Sequence, residues 1–174
     1  MSTLRIRTLG DPVLRERARP VERFDDALRR LADDMVETMH EANGVGLAAP
    51  QVGISSRFFV YDDHEDHAGF LANCEVVARS GEIVHDEGCL SIPGPFAPTA
   101  RAEQVRVRGQ DLEGAWVELE GEGLFARILQ HETDHTDGML YIDHLDAEAR
   151  REVMRELRAN EMGRATAADP SSGA

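Results

Sequence analysis

The sequence predicts an α+β fold, and three observations support this prediction. Apolar residues recur at helical spacing near residues 24–43 and 124–135, and a third segment near residues 146–162 has the charge order of a helix, with acids first and arginines later. Between the first two segments, short stretches rich in β-branched and aromatic residues predict strands. Two of the strands flank a short turn, which is typical of an antiparallel hairpin. At 174 residues, the chain is long enough for one domain with a substantial core.

The first helix is predicted by the segment "FDDALRRLADDMVETMHEAN". Leu28, Met35 and Met39 recur at helical spacing, and Asp25 and Asp26 stand near the start, where acids favour the positive end of the helix dipole. Because an apolar stripe of this kind usually packs against a core, we interpret it as structural and not as a docking face for a partner.

Two further helices are predicted in the second half of the chain. The segment "LFARILQHETDH" runs from Leu124 to His135, and Gly138 is a suitable terminator just beyond it. The segment "DAEARREVMRELRANEM" carries acids first and arginines later, as the helix dipole prefers.

Strands are predicted between these helices. The segments "RFFVYDD", "EVVAR" and "EIVHDEGCLSI" each read as one strand, and "EQVRVRGQDLEGAWVELEG" reads as a hairpin around "DLEG". The glycine-rich segment "NGVGLAAPQVG" is interpreted as a loop in which the backbone can approach another group closely. It is not a phosphate-binding loop, because the Lys and the Ser or Thr of that motif are missing.

Composition excludes some function classes. Nineteen basic residues against 33 acidic ones leave a formal net charge of −14, which disfavours general binding to nucleic acid or to anionic membranes. No apolar run reaches the length of a signal peptide core or of a membrane helix, so we expect a cytoplasmic protein. We expect one catalytic domain over residues 1–163 and a disordered tail over residues 164–174, since the tail lacks apolar residues.

The segment "QHETDHTDG" contains the pattern His-Glu-x-x-His. On a helix, His131 and His135 lie on the same face and can point at one metal ion, with Glu132 beside them. A catalytic site of this type usually has three protein ligands, and Cys89 in "EGCLS" is a candidate for the third. Taken alone, the histidines also fit a polar helix face and Cys89 fits a small buried core residue.

Three motifs together resemble the peptide deformylase family. The segments "GVGLAAPQVG", "EGCLSIPG" and "QHETDHTDG" occur in the order and at the separations of that family's signatures, and the resemblance extends over nearly the whole chain except the tail. It implies antiparallel β-sheets around a central His-Glu-x-x-His helix, with the first helix packed outside and a C-terminal helix after it. It also implies removal of the formyl group from the formylmethionine of new polypeptides.

The resemblance further implies a role for individual residues. Cys89, His131 and His135 match the metal ligands, and the metal is expected to be ferrous iron in the cell, with zinc or nickel also able to bind. Glu132 matches the general acid and base. The remaining matched positions are the oxyanion donors Gln51 and Leu90, the latter through its backbone amide, and the substrate-lining residues Val45, Gly46 and Gly88.

Some positions depart from the family pattern or fall outside it. Phe96, in the stretch "PFAPTARA" that we interpret as a loop, stands where some members have an arginine that contacts substrate. Cys74 and Thr136 replace a proline and a leucine, and we expect both to affect packing only. Arg127 shares a helix face with His131 and could border the substrate pocket, although a side chain directed to solvent is the simpler interpretation.

The other histidines carry no convincing ligand pattern. His64 and His67 lie in the acidic stretch "DDHEDHAG", which could collect stray metal ions but is more simply a solvated loop. His40, His85 and His144 have no partner at ligand spacing in the sequence.

Alternative functions stay open at this point. A general metallopeptidase is disfavoured by Cys89 and Gln51, since those enzymes commonly use a third histidine or an acid. A specialised deformylase with another formylated substrate, or a non-catalytic relative that binds metal or peptide, is also possible. Expected partners are N-formylmethionyl peptides and, through the arginines of the last helix, the ribosome near the exit of the nascent chain. These arginines are Arg150, Arg151, Arg155 and Arg158.

Overall fold

A computed structural model describes residues 3–168 and confirms the α+β fold. Three α-helices and seven β-strands occur in this range. The helices are α1 (Asp26–Glu41), α2 (Gly123–Thr136) and α3 (Ala147–Ala168). The strands are β1 (Gly46–Ala48), β2 (Phe58–Asp62), β3 (Ala68–Ser80), β4 (Ile83–Cys89), β5 (Ile92–Arg101), β6 (Gln104–Gln110) and β7 (Trp116–Glu122).

The strands form two antiparallel sheets. The larger sheet has five strands in the order β1-β2-β3-β6-β7, and β4 pairs with β5 in a separate two-stranded sheet. The predicted hairpin is confirmed, because β6 and β7 pair from Gln110 opposite Trp116 outward and Gly114 closes the turn with a positive φ. β1 lies at one edge of the larger sheet, so one side of this strand has no neighbour within its sheet.

The larger sheet is buried between two helices. Along β2, Phe58 and Val60 pack with the apolar face of α1, whereas Phe59 and Tyr61 pack with α2. Successive side chains of a strand point to opposite faces, so a continuous apolar run is what a strand covered on both faces requires. α1 therefore lies outside the sheet and α2 lies on its other face, in agreement with the expected arrangement.

A smaller core joins the second sheet to the C-terminal helix. Ile92 and Ala97 of β5 pack with Tyr141, and Val153 and Leu157 of α3 complete this cluster. Since Cys89 is the last residue of β4 and pairs with Ile92, this cluster holds the end of β4 against the body of the protein.

Several strand predictions were wrong in detail. The segment "EIVHDEGCLSI" is not one strand, because β4 ends at Cys89 and a turn at Leu90 and Ser91 leads into β5. The stretch "PFAPTARA" is not a loop but belongs to β5, which pairs only with β4 in its sheet. Prolines are tolerated in such a strand because one side needs no backbone donor. The strand predicted at "EVVAR" is part of the longer β3, and the glycine-rich loop contains β1.

The end of the chain also differs from the expectation. α3 continues to Ala168, so residues 164–168 of the expected disordered tail are helical. Alanines in "RATAA" have high helix propensity, which explains the longer helix. The rest of the expected tail, residues 169–174, lies outside the described residues. Within the described part of the chain, no helix combines the length and the apolar character needed to cross a membrane.

Candidate active site

The three predicted metal ligands come together. His131 and His135 stand one turn apart on α2, and their Nε2 atoms are 3.1 Å from each other. The Sγ atom of Cys89, at the end of β4, lies 3.3 Å from Nε2 of His135. All three ligand atoms are within 4.8 Å of one another. The i, i+4 spacing on the helix and the β4–β5 turn thus place one thiol and two imidazoles around one point.

The chemistry of this donor set fits a divalent metal ion. Ligand atoms around a tetrahedral ion at bond lengths of about 2.0–2.3 Å are separated by roughly 3.4 Å, close to the distances observed here. The other ring nitrogen of His131, Nδ1, lies 2.6 Å from Oε1 of Glu87, and such an outer partner leaves Nε2 available as a ligand. Cys89, His131 and His135 can therefore hold a metal ion without rearrangement of the backbone.

Glu132 lies buried beside this cluster. Its side chain is only 4% exposed, and within residues 3–168 its Oε2 atom has no hydrogen-bond partner. A Cβ atom on Gly46 would overlap the Glu132 carboxylate, so only glycine allows β1 to pass this close. Burial raises the pKa of Glu132. A carboxylate with a free oxygen in a buried position is suited to exchanging a proton with a bound molecule.

Gln51 is fixed in the turn that follows β1. Its Oε1 accepts a hydrogen bond of 2.9 Å from the backbone N–H of Ala48. Its Nε2 donates to Oγ of Ser91 at 3.2 Å and faces Sγ of Cys89 at 3.6 Å. The amide of Gln51 therefore directs one N–H toward the cluster of Cys89, His131 and His135, while Leu90 lines the adjacent cavity.

A buried charge network that we did not predict supports the histidines. Arg101 of β5 binds both oxygens of Glu87, which in turn contacts His131. Arg101 also binds Asp134 at 2.6 Å, and Asp134 pairs with His144 at 2.7 Å. Glu87 stands two residues before Cys89, and Asp134 directly precedes His135. Their closeness in sequence to the predicted ligands could have identified these two acids as supporting residues. Arg101 and His144 could not be identified in this way, because only the tertiary fold brings them close to the predicted ligands.

The charges of this network shift the pKa values of the ligands. Burial alone would raise the pKa of the Cys89 thiol, but the charge of His135 and hydrogen bonds with both imidazoles lower it to about 5. Burial also favours the neutral form of His131, yet hydrogen bonds to Cys89 and Glu87 raise the pKa of His131 well above its ordinary value. Metal binding uses the thiolate and the neutral imidazole, so a bound cation would displace a proton from this pair.

The cluster opens into a cavity of about 490 Å³. Every residue that we expected to contact substrate lines this cavity, although the individual roles stay predictions. The volume suits a short peptide end or a small ligand. These residues are Val45, Gly46, Gly88 and Arg127, and the predicted oxyanion donors Gln51 and Leu90 line the cavity as well.

Arg127 and Phe96 form part of the cavity border. Arg127 is partly buried on α2 and lines the cavity, and its Nε atom is buried without a partner in the described part of the chain. Phe96 is 68% exposed, and its ring lies over Gly88, where a Cβ atom would collide with it. An aromatic ring thus borders the cavity where some family members carry an arginine.

The remaining singled-out residues lie outside this site. Cys74 is buried and free, with its Sγ 3.7 Å from Oγ1 of Thr136, as expected for packing residues. His67 binds Asp63 and stacks on Phe125. His40 and His64, for which we found no ligand pattern, both contact Asp62.

Replacement of Arg101 by methionine should destabilise the fold. The side chains of Arg101 and Glu87 are 3% and 8% exposed, so the change removes the permanent cation between two carboxylates and leaves Glu87 with only His131 and Asp134 with only His144. We expect the free energy of unfolding in urea to fall by about 3–5 kcal/mol. Metal affinity should also fall by about 10–100-fold, because Glu87 then orients His131 less firmly.

Arg106→Met is the matched control for this change. Arg106 makes a 3.7 Å ion pair with Glu118 and its side chain is 47% exposed. An exposed pair of this kind contributes about 0–1 kcal/mol. Equal losses of stability in the two variants would contradict the role of the buried network.

Comparison with known proteins gives a consistent result. The family model described as polypeptide deformylase matches residues 3–151. A peptide deformylase from Parafrankia sp. is 51% identical over 162 residues, which cover 92% of this chain and 88% of that protein. A peptide deformylase from Acidobacterium capsulatum is 47% identical over 152 residues, covering 85% of this chain and 89% of that protein.

Solved structures agree with the sequence relatives. A peptide deformylase from Legionella pneumophila superposes with a TM-score of 0.89 at 42% identity, covering 97% of this chain and 100% of that one. A peptide deformylase from Thermus thermophilus gives a TM-score of 0.85 at 47% identity, covering 90% of this chain and 94% of that one. Both the backbone and the sequence are thus similar over almost the full described length.

Proposed function

Because the chain belongs to the peptide deformylase family, it is a metal-dependent hydrolase that removes the N-formyl group from new polypeptides, and we propose that Cys89, His131 and His135 hold its metal. The observation that carries this assignment is the convergence of their three ligand atoms within 4.8 Å beside the buried Glu132. We propose ferrous iron as the ion in the cell, with zinc or nickel able to replace it, since thiolate and imidazole suit all three.

The chain's own residues account for the proton transfers of the reaction. A divalent ion held by Cys89, His131 and His135 would lower the pKa of bound water and polarise the formyl carbonyl. Glu132 takes a proton from the attacking water through its unpartnered carboxylate and delivers it to the departing amine. The buried position of this carboxylate keeps competing solvent away from the proton that it carries.

Two N–H donors stabilise the oxygen on which negative charge develops. Gln51 is held by Ala48, and its Nε2 donates to Oγ of Ser91 and to Sγ of Cys89. The N–H directed at Cys89 is the one that we propose to face the oxyanion. The backbone amide of Leu90 is the second proposed donor, in the turn directly after Cys89. Loss of one such donor typically costs about 10²–10³-fold in rate.

The substrate peptide is proposed to extend the larger sheet. β1 is an edge strand, and its residue Gly46, the preceding Val45 and Gly88 of β4 all line the cavity. Addition of a peptide strand to such an edge uses main-chain hydrogen bonds and tolerates many sequences. The methionine side chain then packs on the apolar part of the lining, which includes Ile128, while Arg127 offers donors at the border.

Release of formate tests the proposed function. Protein purified anaerobically with ferrous iron should convert formyl-Met-Ala-Ser into formate and one equivalent of free amine. The same measurement on formyl peptides without methionine and on small formamides tests the choice of substrate. Faster turnover of another formamide would favour a specialised deformylase, and absence of formate from fully metallated protein would favour a non-catalytic relative.

We also propose that the enzyme works in the cytoplasm as one domain over residues 1–163, with α3 contacting the ribosome. The four arginines of α3 are exposed, whereas Val153 and Leu157 of the same helix are buried against the protein. Replacing the four by alanine should reduce cosedimentation with ribosomes and weaken its salt dependence. Unchanged cosedimentation would overturn this contact. The arginines are Arg150, Arg151, Arg155 and Arg158.

A further inference from the structure

A second group of potential metal ligands lies at the surface, beyond the end of the larger sheet's β2. His40 comes from the last turn of α1, Asp62 ends β2, and His64 belongs to the segment between β2 and β3. Nε2 of His40 is 2.9 Å from Oδ2 of Asp62, and Nδ1 of His64 is 3.6 Å from Oδ1 of the same carboxylate. One ligand atom from each residue lies within 4.8 Å of the other two.

The fold holds each of the three residues in place. His40 directly follows Met39 of α1, whose side chain is fully buried in the core and fixes the end of the helix. The backbone N–H of Asp62 donates to the carbonyl of Val45 at 3.0 Å, and Asp62 pairs with Ala68 of β3. The backbone N–H of His64 donates to Oδ1 of Asp62 at 2.8 Å. The two imidazoles are therefore brought to one carboxylate by separate segments, at separations close to the roughly 3.4 Å between ligands of a tetrahedral ion.

Charge and exposure at this position suit a cation from solution. The stretch from Asp62 to His67 contains four acids, and the whole chain has a formal net charge of −14. The side chains of His40 and His64 are 43% and 58% exposed, so water can complete the coordination of an ion.

The neighbouring pair of His67 and Asp63 shows what a purely structural histidine looks like in this segment. The ring of His67 stacks on Phe125 with a centroid distance of 4.0 Å, and its Nδ1 is bound to Asp63. The carboxylate of Asp63 also accepts backbone N–H groups of Glu65 and His67, so it is used by the turn itself. In contrast, the ring centroids of His40 and His64 are 5.8 Å apart, and both rings contact one carboxylate, that of Asp62.

We propose that His40, Asp62 and His64 form a second metal site that takes a divalent transition ion of the zinc type. Two imidazoles and one carboxylate favour zinc, copper or nickel over magnesium or calcium, which prefer oxygen ligands alone. Because His40 lies close in sequence to the cavity-lining Asn43, and Asp62 binds the backbone of the cavity-lining Val45, a bound ion cross-links α1 to β2 behind one wall of the cleft.

Metal counting on the holoenzyme tests this site. Protein that already holds nickel at the Cys89 site is equilibrated with a small excess of zinc chloride, separated from free ions and analysed for all metals. Wild type should contain two ions per chain and the double variant His40→Ala/His64→Ala one. In calorimetric titration with zinc, the affinity for the second ion should be more than about tenfold lower in the variant. Loss of an outer partner of a ligand already lowers metal affinity by about 10–100-fold, and here two ligands themselves are removed.

Two further variants keep the result specific. His85 is an exposed histidine of β4, and His85→Ala should retain two ions. Cys89→Ala should lose the catalytic ion and keep the surface one, so failure of one site is distinguishable from failure of the other. Formate release by the His40/His64 variant should equal that of wild type, which shows that it is folded. A total of one ion in wild type, or retention of the second ion by the double variant, would overturn the proposal.

Discussion

Substitution of Glu132 by glutamine should lower the rate of formate release by about 10²–10⁴-fold, the contribution of a well-placed general acid and base. Glutamine keeps the shape of the side chain but cannot take a proton from water or pass one to the amine. Because Glu132 is not one of the three ligand residues, metal content measured by elemental analysis should stay at the wild-type level. The change should be seen in kcat at saturating formyl-Met-Ala-Ser.

Stability provides an independent readout for the same variant. Glu132 is buried, burial raises its pKa, and its Oε2 has no partner among residues 3–168. Loss of the charge therefore removes an unfavourable desolvation, and the thermal midpoint of the metal-free protein should not decrease. Glu120→Gln, at an exposed position on β7, is the control and should retain full activity. A Glu132→Gln enzyme with wild-type kcat would contradict the proposed role.

Substitution of Cys89 by alanine should abolish metal retention and, with it, deformylase activity. The thiol has a pKa of about 5 and is therefore a thiolate at neutral pH, which contributes negative charge to the donor set. His131 and His135 alone leave a two-ligand site on one helix, fewer than the three protein ligands of a catalytic metal site. Elemental analysis after dialysis should find little catalytic metal, and formate release should fall to background.

Cys74→Ala is the matched control, because the chain contains only these two cysteines. Cys74 is fully buried and contacts Thr136 instead of the metal cluster. Its truncation should cost about 1 kcal/mol of unfolding free energy through the small cavity it leaves, with metal content and kcat unchanged. The assignment of the ligands is wrong if Cys74→Ala loses the metal while Cys89→Ala retains it.

The buried network around Arg101 links these two predictions to the fold. Arg101 comes from β5, the strand that the proline-containing stretch after Cys89 forms, and it binds Glu87 of β4 across the two-stranded sheet. Glu87 then contacts His131 of α2. The orientation of one ligand imidazole thus depends on the pairing of β4 with β5, although neither strand belongs to the larger sheet.

Local features of the site could be predicted from the sequence because they depend on short-range geometry. His131, Glu132 and His135 lie on one helix, and the helical period alone places the two imidazoles on one face. The β6–β7 hairpin follows from alternation around a short turn. Periodicity could not predict that Cys89 contacts the two histidines, because this contact joins distant parts of the chain. The order and spacing of three family motifs supplied that information.

The sequence by itself determined the fold class, the central helix and the three residues that we propose as metal ligands. Only the tertiary structure decided that the proline-containing stretch forms β5, that Arg101 and His144 join Glu87 and Asp134, and that His40, Asp62 and His64 converge. Each of these depends on which strands pair and in what register, and a shift of one residue turns every side chain of a strand to the other face. Such contacts arise from packing over the whole domain, so no local pattern of residue types specifies them.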